Sequence, residues 1–141
     1  MCLEIKLGLD VEIDLSSKNS WLETFTLKTA ESVPPLSRPY VYRIASRDLG
    51  CACLLMDDEG YEMDRDSSMT FHSARKDLAR LLRGWVVRGP VEILAHWLGE
   101  EPLPAAPLRV SVNRLIRNPA SFRCSGTPYY YLVEARPARL Q

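Results

Sequence analysis

Across Gly89-Pro90 the hydrophobic period of the chain changes from helical to strand-like, and the rest of the sequence must be arranged around the unit so formed, residues 69–98. From Ser73 onward Ala74, Leu78, Leu81, Leu82 and Trp85 recur at i, i+4, i+7, i+8 and i+11, which is one apolar helical stripe. Arg75, Lys76, Asp77, Arg80 and Arg83 fall on the other face. The spacing predicts an amphipathic helix over residues 69–89. The Ser73 hydroxyl is placed to cap its start, Gly89 to take the left-handed conformation that ends a helix, and Pro90 to forbid continuation. Residues 90–98 then alternate, with Val91, Ile93, Ala95 and Trp97 on one face and Glu92, Leu94, His96 and Leu98 on the other. In a strand of that register Ile93, Ala95 and Trp97 face the helical stripe.

The chain has 141 residues, the size of one domain, and can bury roughly two thirds of its unfolded surface without disulfides or metals. We read residues 1–141 as a single domain. Residues 3–15 alternate throughout, Leu3, Ile5, Leu7, Leu9, Val11, Ile13 and Leu15 against Glu4, Lys6, Gly8, Asp10, Glu12 and Asp14. This pattern predicts a half-buried strand longer than usual, with Gly8 as a bend or bulge. Residues 21–29 are expected to be a strand forming a hairpin with it, and residues 32–39, with three prolines, an extended connection. Residues 40–46 and 50–56 suggest a second hairpin, its Cys-Ala-Cys-Leu-Leu-Met run apolar on both faces as in a central strand. A second proline-rich connection covers 100–107. A short strand at 108–110 and one or two helical turns around Val112, Leu115 and Ile116 follow, stopped by Pro119. A final strand at 129–135 is expected to pair with residues 121–124. The fold class is α+β: a mostly antiparallel β-sheet with one main amphipathic helix packed on one face.

Charge is balanced overall but not along the chain. Residues 1–66 hold 13 Asp/Glu and 7 Lys/Arg, a difference of −6, and residues 67–141 hold 5 and 11, a difference of +6. Either the halves cancel each other in space, or they leave one acidic and one basic face for partners. No apolar run approaches the roughly 18 residues of a membrane span, and the N-terminal residues lack the basic and apolar regions of a secretory signal. With four cysteines and no such signal, the expectation is reduced thiols in a cytoplasmic protein.

No motif in the sequence specifies a reaction or a ligand, so each candidate site stands beside its plainer reading. Cys51 and Cys53 share a strand face and, with Cys124 and His72 or His96, offer the donors of a tetrahedral zinc site. Buried structural thiols are the commoner outcome for that residue type. A catalytic reading through Glu92 and His96 requires the two to be close, whereas four strand residues separate them by roughly 13 Å. It holds only if residues 90–98 are helical. Lys76, Arg80 and Arg83 form a basic helical stripe able to meet phosphates, but nucleic-acid binding without a recognisable module is the minor reading, and a solvated helix face the major one. Residues 57–66 carry six carboxylates and one arginine without the spacing of a calcium loop. They read as solvated surface or, more sharply, as an acidic patch for a basic partner, with Tyr61 and Met63 supplying apolar anchors.

Gly50-Cys51-Ala52-Cys53, Gly89-Pro90-Val91-Glu92 and Trp97-Leu98-Gly99-Glu100 together resemble a group of small uncharacterised bacterial α+β proteins with the pattern GCxC, GxVE, WxG. The resemblance implies a fold and a bacterial source and carries no activity. In size, build and surface acidity the chain is also similar to immunity-type inhibitors. The function expected is therefore a non-enzymatic protein-binding module, an immunity-type inhibitor that occludes a bacterial toxin through its acidic loop. Asp57, Asp58, Glu59, Tyr61, Glu62 and Asp64 are the contact residues on this reading, and no cofactor is required. The rival is a thiolate metal or redox protein using Cys51, Cys53 and Cys124, with zinc as the cofactor.

Overall fold

Ile5, Leu7, Ile93 and Leu82 are all fully buried, because strand alternation and the helical stripe present them to one another across a sheet–helix interface. The structure, a computed structural model, describes residues 3–15, 25–46, 71–97, 106–117 and 129–135. Its elements are β1 (Leu3–Leu9), β2 (Phe25–Thr29), β3 (Tyr40–Ser46), α1 (Phe71–Trp85), β4 (Val91–Trp97), β5 (Leu108–Ser111), α2 (Val112–Arg117) and β6 (Tyr129–Glu134). The strands form one six-stranded sheet in the order β2-β3-β1-β4-β6-β5. Every pairing is antiparallel except β5 with β6. The mostly antiparallel α+β architecture expected from the sequence is the one observed.

One face of the sheet carries the larger core. Ile5, Leu7 and Leu9 of β1, Tyr42 and Ile44 of β3, and Val91, Ile93 and Ala95 of β4 pack with Leu78, Leu81, Leu82 and Val86. The register explains the shared face, since Ile5 lies opposite both Ile44 and Ala95, and Leu7 opposite both Tyr42 and Ile93. Residues 30–39 supply the cover of the other face, where Leu36 joins Val41 and Leu94 in a smaller cluster with Val33 and Tyr130. Residues 91–96 are consequently buried on both faces. Among the described strands β4 is covered on both faces; residues 50–56, expected to be a central strand, lie outside the described residues.

Several local expectations are corrected. The first strand ends at Leu9 and the chain bends at Asp10 and Val11, while Gly8 keeps regular pairing with Val41 and Glu92 and forms no bulge. β2 pairs with β3, not with β1, which instead lies between β3 and β4. Residues 42–44 have β1 on one edge and β2 on the other. β6 finds its partners in β4 and β5; residues 50–56 and 121–124 themselves lie outside the described residues.

Helix α1 begins at Phe71, two residues ahead of the expected cap at Ser73, and ends at Trp85. A turn closed by Arg88 N–H to the Trp85 carbonyl (2.9 Å) and Gly89 N–H to the Val86 carbonyl (3.3 Å) leads into β4. Gly89 has φ +149°, a backbone state that side chains rarely adopt. Arg75 and Asp77, expected on the solvent face of α1, are buried. The Arg75 guanidinium donates to the Ile116 carbonyl (2.5 Å) at the end of α2, and Asp77 accepts from Arg80 at 3.1 Å. Ser111 Oγ in turn accepts from the Arg114 N–H (3.2 Å) as the N-cap of α2. Among the described residues no helix is long and apolar enough to cross a membrane.

Candidate functional site

Beyond Leu9 the chain leaves the sheet but keeps its alternation. Asp10, Glu12 and Asp14 are exposed, and Val11, Ile13 and Leu15 are half-buried. Ile13 and Leu15 pack against the core, as does Trp85, and the Ile13 N–H donates to the hydroxyl of Tyr42 at 2.7 Å. That hydrogen bond, reaching up from a side chain only 2% exposed, fixes the segment at a set height above the sheet. A cleft of about 360 Å³ lies between the segment and the C-terminal half of α1. Such a volume falls at the small end of the range for ligand pockets, roughly 300–1,000 Å³.

The cleft has an apolar floor and charged walls. Leu9, Leu27, Leu81 and Val91 form the floor and are all buried. Asp10, Glu12 and Asp14 stand along the segment wall, and Arg80 and Arg88 along the helix wall. Part of this charge is engaged within the fold: Arg80 Nη2 lies 3.1 Å from Asp77 Oδ1, and Arg38 Nη1 lies 3.5 Å from Asp10 Oδ1. Gly84 also lines the cleft. A Cβ built on Gly84 would meet no atom within 4 Å, so neither packing nor its backbone conformation requires glycine there.

On the opposite face of the sheet a second polar centre is closed by the fold itself. Glu92 is completely buried, and its carboxylate accepts from the backbone N–H groups of Ser37 (3.0 Å) and Arg38 (2.7 Å) and from Ser37 Oγ (3.2 Å). The Tyr130 hydroxyl donates to it as well. Burial, the hydrogen bond to Glu92 and the charge of Glu92 together push the Tyr130 phenol up to about 12, with Arg38 acting weakly in the other direction. Gly8 sits directly opposite Glu92 on β1. An added Cβ at Gly8 would come within 2.7 Å of Glu92 Oε1. This carboxylate thus ties the 30–39 connection to the sheet.

His96 belongs to the same strand face, where its Nε2 lies 3.6 Å from Glu4 Oε2. Because β4 is a strand, Glu92 and His96 remain four residues apart, and the catalytic pairing that a helix at 90–98 would have created does not form. Of the basic stripe, Lys76 is exposed, Arg80 is paired with Asp77, and Arg83 donates to Asn113 Oδ1 at 2.9 Å. Among the described residues no group of three or more His, Cys, Asp or Glu side chains is gathered to hold a metal ion. Cys51, Cys53 and Cys124 lie outside those residues, as do Asp57, Asp58, Glu59, Tyr61, Glu62 and Asp64.

The cleft was not singled out from the sequence. Its signal was nonetheless present, in an alternation that runs on past the usual five or six residues of a strand and in a glycine within the helix. Comparison of the chain with protein-family models, curated proteins and solved structures finds no match.

Proposed function

We propose that this protein is a non-enzymatic binding module of the bacterial cytosol, an immunity-type inhibitor that occludes a basic toxin domain. One observation about charge supports the reading. Lys6–Glu4 and Arg38–Asp10 join residues of the acidic half, and Arg80–Asp77 and Arg109–Glu134 join residues of the basic half. These four pairs among the described residues lie within one half each, and of the contacts between charged groups His96–Glu4 joins the two halves; the excess of −6 is a property of residues 1–66 as a whole. A surface of one sign steers an oppositely charged partner and raises its association rate.

On this reading Asp57, Asp58, Glu59, Glu62 and Asp64 approach a basic cleft on the toxin, and Tyr61 with Met63 provides the buried anchor that charge alone does not supply. Inhibition is by occlusion and needs no cofactor. The test is an affinity pull-down with mass spectrometry from cells that encode the protein, comparing the native chain with the triple variant Asp57→Lys, Asp58→Lys, Glu59→Lys. The expected result is one specific basic partner, which is then purified and loses affinity for the variant. A purified partner that binds both forms equally removes the acidic loop from the interface.

A further inference from the structure

Gly84 lies within α1, where glycine is less favourable than alanine by roughly 0.5–1 kcal/mol. Structural glycines are normally explained by a positive φ or by a close neighbour. Among the described glycines only Gly89 has a positive φ, and the space beside Gly84 is empty out to 4 Å. What the missing side chain does leave is an open mouth to the cleft that Gly84 lines. Across the cleft, Asp10, Glu12 and Asp14 are all exposed, on a segment whose Ile13 N–H is tethered to Tyr42. The wall thus presents three exposed carboxylates beside an apolar floor, with Asp10 also 3.5 Å from Arg38 Nη1.

We propose that this cleft receives an apolar side chain flanked by lysine or arginine on a segment of the protein partner. The inference rests on the reading of the molecule as a binder of basic partners and adds the place and the chemistry of the anchor. The floor buries the apolar group, and the carboxylate wall takes the flanking cations. Arg80 on the helix and Arg88 in the turn after it favour the opposite sign, which orients the segment with its cations toward Asp10, Glu12 and Asp14. Trp85, half-buried at the helix end, adds an aromatic surface that a cation or an apolar group can pack on.

The test uses acetyl-Lys-Leu-Lys-amide as probe, with Lys-Ser-Lys and Glu-Leu-Glu as controls, titrated into the full chain and followed by methyl NMR. The expected outcome is saturable shifts at Leu9, Leu15 and Leu81 with Lys-Leu-Lys, much weaker ones with Lys-Ser-Lys, and none with Glu-Leu-Glu. Gly84→Met fills the mouth without disturbing the backbone and should abolish these shifts while the melting temperature stays equal or rises, which separates loss of binding from loss of fold. Asp10→Lys with Glu12→Lys should weaken the probe by about tenfold, or about 1.4 kcal/mol. Absent shifts, equal shifts with Glu-Leu-Glu, or binding untouched by Gly84→Met overturn the proposal. If Lys-Leu-Lys binds but perturbs the Met63 methyl instead of the cleft, the cleft is excluded while the acidic-surface reading stands. If Lys-Leu-Lys binds nowhere, the cleft proposal falls, and the acidic-surface reading is decided separately by the pull-down with the charge-reversed variant.

Discussion

At Glu92 a carboxylate with no solvent exposure is held by two backbone N–H groups and two hydroxyls, and the cost of burying it is offset only while those donors stay in place. Gly8 is part of the same arrangement. Its replacement by alanine puts a Cβ 2.7 Å from Glu92 Oε1 and 3.2 Å from Arg38 Cβ. The oxygen cannot swing away without losing its donors. Gly8→Ala should therefore cost about 1–3 kcal/mol of stability, the range of overpacking in a filled site, read as a lower midpoint in urea. Tyr130 supplies a pH test of the same centre. Its folded-state phenol is raised from 10.0 to about 12, so the neutral form is favoured by folding. The stabilisation this represents is complete below pH 10 and is lost as pH rises from there toward about 12. Tyr130→Phe should flatten the alkaline limb of the stability curve and lower stability at neutral pH by about 1–2 kcal/mol. An unchanged alkaline limb would show that Tyr130 does not report on this carboxylate. From the sequence Glu92 could be placed on a strand face, but not over Gly8, because that juxtaposition depends on the β1–β4 register, which strand alternation does not determine.

The elements themselves were largely legible where their signal is local. The stripe Leu78, Leu81, Leu82 marked α1, alternation marked β1 and β4, and Pro119 marked the limit of α2. Pairing was not legible. Neighbouring strands in sequence often form hairpins, and that rule misplaced β2, because β1 is occupied on both edges by elements 31 and 82 residues further on, in β3 and β4. Arg75 and Asp77 illustrate the same limit on α1. A charged residue on the polar side of a helical wheel is read as solvated, yet here α2 lies against that side, and Arg75 reaches the Ile116 carbonyl of α2. Removing this donor leaves a half-buried carbonyl short of its partner. Arg75→Ala should lower stability by about 1–3 kcal/mol, with the loss of amide protection concentrated at residues 112–117. Uniform loss across the sheet would instead mean that Arg75 supports the core as a whole and not the helix–helix contact.

For the molecule as a whole, charge segregation is the property that sequence displayed most openly, and on the proposed binding function its consequence is kinetic. Steering depends on long-range attraction between exposed charges, whereas an apolar anchor in a cleft acts only at contact. The two contributions respond differently to salt. Raising ionic strength from about 0.1 M to about 1 M shortens the screening length from about 10 Å to about 3 Å, which suppresses attraction at a distance and leaves apolar burial intact. With a purified partner, the association rate constant should fall by about tenfold or more over that range, while dissociation changes little. Charge reversal at Asp57, Asp58 and Glu59 should reduce the low-salt rate and flatten its salt dependence. Gly84→Met should leave the association rate nearly unchanged and speed dissociation, because it removes the anchor and not the field. Stopped-flow association and dissociation measurements on the native chain and these two variants separate the roles. A partner whose association rate is indifferent to salt would have no use for the acidic half. The charge segregation would then be a feature of the chain's solubility and not of its recognition.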